Sequence, residues 1–285
     1  MLNKANTKIK KVLVVGLGLI GASLCRDLKR NINYEKIYGY DTDKDVMNYA
    51  LKNDYIDEIK DDLNEGIKNS DLIVLCIPVQ GIKEILDVVK KFFNSEKIFT
   101  ETLSSKRAII EFLTDNEMLD TKNFILSHPM AGTENFGIKN SKENLFKGAN
   151  TFICPLEFSE SDKLDEVNSL WERVQCYTHK LSLEKHDQLL TYLSHGPHAI
   201  SFTLSKITPS LSEFPWSTTQ GSLAEMTRVA NSDPKLWANI FKDNKDNLIN
   251  YINIFLEDLE ILKTILKSQK KEDLLSYLEK SKPKK

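Results

Sequence analysis

Between residues 11 and 181, short apolar runs alternate with stretches in which apolar residues recur every three or four positions. The runs fit strands and the stretches fit amphipathic helices. An apolar strand begins at Lys11 and runs into Gly16-x-Gly18-x-x-Gly21; a helix follows, and a second strand stops at Asp41. The same rhythm predicts a helix near 44–53, a strand over 71–77, a helix near 81–93 and a strand over 97–100. Further strands are expected over 123–126, 151–154 and 177–181, with a helix around 162–174 between the last two. Strand and helix in alternation imply βαβ units and a parallel sheet. From about residue 183 the rhythm changes. Strands are no longer evident, and Ile249, Ile252, Phe255, Leu256, Leu259, Leu262 and Leu266 recur at helical spacing. That stripe reads as helix core in preference to a ligand-binding face, and on a small helical domain it also suits a dimer interface. The expected architecture is α/β: a doubly wound, mainly parallel sheet over 1–182, then an all-α dimerisation domain over 183–285.

The first glycines sharpen this. Gly16 makes the tight turn after the strand, Gly18 lets the backbone approach a pyrophosphate, and Gly21 lets helix and strand pack closely. Free N–H groups and the positive end of the helix dipole then face the phosphates. Asp41 falls where a carboxylate accepts hydrogen bonds from the adenosine ribose and repels a 2′-phosphate, which favours NAD over NADP. This is a Rossmann-type dinucleotide site, with Leu17, Leu19 and Ile20 in the loop and Ile77 and Pro78 at the carboxyl edge of the next sheet strand as its other cofactor-binding positions.

A chain of 285 residues, 41% hydrophobic and 28% charged, supports a sizeable core in about two domains. A net charge of −2 argues against a nucleic-acid partner. The run 12–25 is too short to span a bilayer and its glycines belong to the nucleotide loop, so no membrane or targeting segment is expected. Cys25, Cys76, Cys154 and Cys176 form no C-x-x-C pair. Reduced thiols suit a cytoplasmic protein.

Three stretches carry candidate chemistry. Glu101-Thr-Leu-Ser104-Ser-Lys106 follows a strand, so Ser104 is placed to touch nicotinamide or a substrate hydroxyl, although Ser104 or Ser105 would also serve as a helix N-cap. Ser127-His128-Pro129-Met-Ala-Gly132-Thr133-Glu134 puts an imidazole at the cofactor edge, in a loop shaped by Pro and Gly. Ser194-His195-Gly-Pro-His198 is followed by Gly221, Glu225, Arg228 and Asp233-Pro-x-x-Trp237. His-x-x-His invites a metal, but no Cys, His or acid cluster completes a site, so none is expected.

In this order the motifs resemble those of the prephenate/arogenate dehydrogenase family of tyrosine biosynthesis, in its minimal monofunctional form. The His-Pro-Met-Ala-Gly block, Ser-His-x-Pro-His and the Thr-Arg block carry the specificity of that resemblance. Two positions depart from the usual pattern: Leu103 stands where Gly precedes the serine, and Gly196 where a larger apolar residue is common. The resemblance implies NAD-dependent oxidative decarboxylation of a small-molecule cyclohexadienol, prephenate or arogenate, by a homodimer. It implies His128 as the base at the ring hydroxyl with Ser104 sharing that hydroxyl, Arg228 on the ring carboxylate with His198 beside it, and Thr133, Gly221 and Trp237 shaping the pocket. His195 is expected to orient its neighbours. Prephenate is favoured, since the matched motifs offer no additional group for an ammonium. The competing reading, a 3-hydroxyisobutyrate-type oxidoreductase, requires a Gly-x-x-x-Lys motif that the chain lacks, Lys206 following Gly196 at the wrong spacing.

Overall fold

The computed structural model describes residues 9–31, 34–132, 135–208 and 221–283. The chain divides into two compact units, Met1–Asp187 and Gln188–Lys285. Among the described residues of the first, eight strands form one sheet: β1 (Lys11–Val15), β2 (Lys36–Tyr40), β3 (Glu58–Ile59), β4 (Leu72–Leu75), β5 (Ile98–Glu101), β6 (Phe124–Pro129), β7 (Asn150–Cys154) and β8 (Tyr177–Lys180). Their order is β3-β2-β1-β4-β5-β6-β7-β8. β1 to β6 run parallel, β7 pairs antiparallel with β6, and β8 lies parallel to β7.

Every residue of β4 is buried, as is every residue of β1 after Lys11, which explains their uninterrupted apolar sequence: helices cover both faces. From β1 the chain turns one way to β2, and β4 lies on the other side. That reversal opens a crevice at the carboxyl ends of β1 and β4, where ligands bind in such sheets. The two-residue β3 was not expected; it is too short to show a period. A second difference matters more. β6 continues through His128 and Pro129, which pair with Phe152 and Thr151 of β7, so His128 is a buried strand residue and not part of a loop. The antiparallel partner extends the strand beyond the apolar segment that announced it.

The described helices of the second unit are Gly196–Ile207, Ser222–Thr227, Pro234–Asp243, Lys245–Ser268 and Lys271–Lys280, with a π-helical turn at Thr191–His195 before the first. The apolar stripe of Lys245–Ser268 departs from its reading as core: Leu256, Leu259 and Leu266 are 43–55% exposed, and Leu248 alone on this helix is buried. The described residues of one copy leave these leucines exposed.

Candidate active site

The glycine loop has the shape its sequence promises. Gly16 sits at φ 89°, its N–H donating to the Tyr40 carbonyl at 2.8 Å, and a Cβ there would lie 2.5 Å from the Cys76 carbonyl oxygen and 2.7 Å from the Ile77 side chain. A Cβ on Gly21 would sit 1.9 Å from the Gly16 oxygen. A Cβ on Gly18 would meet nothing within 4 Å. The Gly18 carbonyl accepts from the Ala22 N–H at 3.0 Å, and the side where a Cβ would stand borders open space, as an approaching pyrophosphate requires. Leu19 and Ile20 open the helix Leu19–Asn31. Asp41, directly after β2, accepts from the Leu17 N–H at 2.7 Å and from the Asp43 N–H at 3.0 Å, which ties the glycine loop to the acid that would receive a ribose. The residues present fit a dinucleotide.

Ser104 lies in the turn after β5, and a buried ion pair braces that turn. Lys106 Nζ contacts Glu101 Oε1 at 2.6 Å and donates to the carbonyls of Leu103 at 2.6 Å and Ser127 at 2.7 Å. Glu101 in turn accepts from the N–H groups of Leu103 and Ser127 at 2.7 and 3.1 Å. Burial pushes the Glu101 carboxyl up from its ordinary value, opposed by Lys106 and both N–H donors. One pair thus fixes the peptide before Ser104 and the residue before His128. Ser105, not Ser104, lies at the helix start, its Oγ accepting from the Arg107 N–H at 3.4 Å. The Ser127 hydroxyl is held in turn by Thr100, the Glu101 carbonyl and the indole N–H of Trp171.

His128 is buried, and its Nδ1 lies 3.0 Å from Nε2 of His186. His186 is wholly buried and its Nδ1 lies 2.9 Å from a carboxylate oxygen of Asp187, which keeps 27% of its side chain exposed. Neither His186 nor Asp187 stood out in the sequence. They lie in the first turn of the helix Leu183–Leu190.

The second unit holds the remaining candidates. His195 is buried, with Asn244 Nδ2 3.0 Å from its Nδ1 and Trp237 edge-on at 6.1 Å, which makes it part of the helix packing. His198 donates from Nδ1 to the Ser194 carbonyl at 2.8 Å and stacks on Trp237, ring centroids 3.6 Å apart. Burial first, then Arg228, push its pKa below the ordinary value, against the pull of the Ser194 carbonyl. Asp233 caps the helix Pro234–Asp243 by accepting from the Lys235 N–H, with Pro234 at its first turn; that motif serves to place a buried Trp237. Arg228 is exposed and lines a cavity of about 410 Å³ with Ser205, Leu223, Thr227 and Asn231. Gly221 precedes the helix Ser222–Thr227. Thr133 lies outside the described residues. The room at Gly196 is taken by Tyr251, whose ring would stand 2.4 Å from a Cβ there, so the missing side chain is supplied by another helix.

Family models match both halves of the chain: the prephenate dehydrogenase nucleotide-binding domain over residues 24–179 and the prephenate dehydrogenase dimerization domain over 182–280. The chain is 29% identical to a cyclohexadienyl dehydrogenase of Zymomonas mobilis over 96% of its own length and 94% of that protein's. A crystal structure of A. aeolicus prephenate dehydrogenase in complex with hydroxyphenyl propionate and NAD+ superposes with TM-score 0.86 at 30% identity, covering 97% of each chain. Synechocystis arogenate dehydrogenase superposes with TM-score 0.82 at 27% identity, covering 95% of this chain and 97% of the other.

Proposed function

The chain belongs to the prephenate dehydrogenase family, and from that premise we propose that it carries out the NAD-dependent oxidative decarboxylation of prephenate to 4-hydroxyphenylpyruvate. One observation carries the reading: the glycine loop after β1, Asp41 after β2, Ile77 and Pro78 after β4, Ser104 after β5 and His128 at the end of β6 all gather on the carboxyl edge of one parallel sheet. NAD, when bound there, supplies the hydride acceptor. The substrate loses hydride from its carbinol carbon while the bond to the ring carboxylate breaks; that electron pair aromatises the ring, and the hydroxyl becomes a phenol. No net proton leaves, so the base has to take up the hydroxyl proton as the carbinol oxidises and hand it back to the phenol oxygen.

In this reading His128 takes and returns that proton, Ser104 shares the hydroxyl, and Arg228 binds the ring carboxylate through its planar fork. His198, its pKa pushed down by burial and by the Arg228 charge, stacks on Trp237 as its floor. Pairing that carboxylate strongly in the ground state would oppose its departure, so an exposed arginine suits the task better than a buried pair. The exposed stripe on Lys245–Ser268 and the dimerization-domain match support a homodimer. No helix among the described residues is long and apolar enough to cross a membrane, and a cytoplasmic enzyme with free thiols completes the proposal.

Steady-state kinetics with prephenate and arogenate, each with NAD and NADP, test it. Prephenate with NAD is expected to give the highest kcat/KM. An arogenate preference above roughly tenfold, about 1.4 kcal/mol of transition-state binding, overturns the substrate assignment, and an NADP preference overturns the role of Asp41.

A further inference from the structure

We propose that His186 and Asp187 are positioning residues that fix the tautomer of His128 and stabilise its protonated form. The inference rests on the reading of His128 as the base. It follows from a chain of hydrogen bonds in which each member leaves the next one choice. The Asp187 carboxylate only accepts, so His186 Nδ1 donates to it across 2.9 Å. A neutral imidazole has one N–H, so His186 Nε2 is an acceptor. His128 Nδ1, 3.0 Å away, must therefore carry hydrogen, which makes His128 Nε2 the basic nitrogen. When His128 takes a proton it becomes a donor at both nitrogens. Nδ1 keeps its acceptor, and the carboxylate beyond His186 stands one ring from the new charge. The arrangement resembles the logic of a nucleophile–histidine–acid triad with a second imidazole inserted.

The surroundings keep the middle ring from competing for the proton. Burial pushes the pKa of His186 down, and the Lys106 ammonium lowers it further, against the pull of Asp187. Of the titratable groups nearby, Glu101 is paired with Lys106, and burial pushes the Cys154 thiol up to about 12. Phe152 closes the remaining side, its ring centroid 6.3 Å from His128 and 5.8 Å from His186. A surface histidine would need none of this. A wholly buried one, spanning a base and a carboxylate, is placed for it.

The test compares His186→Leu, His186→Gln, Asp187→Ala and His128→Asn in kcat, KM for NAD and the pH profile of kcat. His186→Leu is expected to lower kcat roughly 10²-fold and to move its acid limb to lower pH, since the imidazolium loses its acceptor, with KM for NAD within twofold of wild type. His186→Gln offers a carbonyl oxygen to Nδ1 and should recover much of the loss. Asp187→Ala, a change at a partly exposed side chain, should move the limb in the same direction and carries the test if His186→Leu does not fold. Wild-type kcat and an unmoved limb in His186→Leu, or in Asp187→Ala where the leucine variant is lost, overturn the inference while a dead His128→Asn keeps the base assignment. An active His128→Asn with its limb intact overturns the base assignment itself.

Discussion

At the scale of single residues, the two charged or chargeable groups assigned to the substrate act at different points of the reaction, and their loss should look different. On the proposed reading His128 acts as the hydroxyl proton moves, so His128→Asn is expected to lower kcat by roughly 10²- to 10⁴-fold and to remove the acid limb of its pH profile, with little change in KM. The proposed contact of Arg228 with the ring carboxylate forms before any bond breaks, so Arg228→Ala should act mainly on KM, raising it on the order of 10- to 10³-fold. Its exposure makes the lower part of that range the expectation, because solvent already screens the charge. Equal losses in kcat and kcat/KM for Arg228→Ala would show that its contact forms only in the transition state. The sequence singles these two residues out because they sit in contiguous motifs. His186 and Asp187 could not, because their meaning comes from a distance of 3.0 Å to a side chain 58 positions earlier. The same holds for Lys106, which as a residue type suggests a surface charge and is instead buried at a junction of two strand ends.

At the scale of elements, β1 and β4 were legible because burial on both faces leaves an unbroken apolar run, and glycine marks the loop between β1 and its helix. The short helices Leu63–Lys68 and Arg107–Asp115 escaped, as did two features set by pairing: the two-residue β3 is defined by its neighbour, and the extension of β6 through His128 by an antiparallel partner. The glycine loop offers a clean separation of fold from function. Gly21→Ala places a Cβ 1.9 Å from a backbone oxygen and should cost about 1–3 kcal/mol of stability or more, since helix and strand must part. Gly18→Ala meets nothing in the protein, so its melting temperature should match wild type. Its added methyl occupies the space reserved for the pyrophosphate, so NAD affinity should fall about tenfold or more, a loss of roughly 1.4 kcal/mol. Calorimetry for the two variants, one measuring melting and the other NAD binding, checks both halves. A Gly18→Ala protein with wild-type NAD affinity would mean that the phosphates lie elsewhere.

At the scale of the whole molecule, the unfinished part is the apolar face of the second unit. Leu256, Leu259 and Leu266 follow one another along the long helix Lys245–Ser268, and Leu275 and Leu278 stand similarly exposed on Lys271–Lys280. Burying one such side chain fully is worth about 1.5–3 kcal/mol, so leaving the series in water forfeits a large stabilisation for a chain of this size. The sequence showed the stripe but not whether it was covered from within, because helical spacing is the same for a core face and an interface. The proposed two-fold dimer would resolve this, since one self-complementary surface then covers both copies. Light scattering at micromolar concentration should give twice the 32.7 kDa of the chain. Leu256→Glu with Leu259→Glu places two carboxylates in each half of that face, four across the symmetric interface, and should return the mass to that of one chain. The glycine loop belongs to the other unit, so NAD binding by this variant should match wild type. A wild-type chain that stays monomeric under these conditions would overturn the dimer, and a dimer that survives both glutamates would move the interface off this helix.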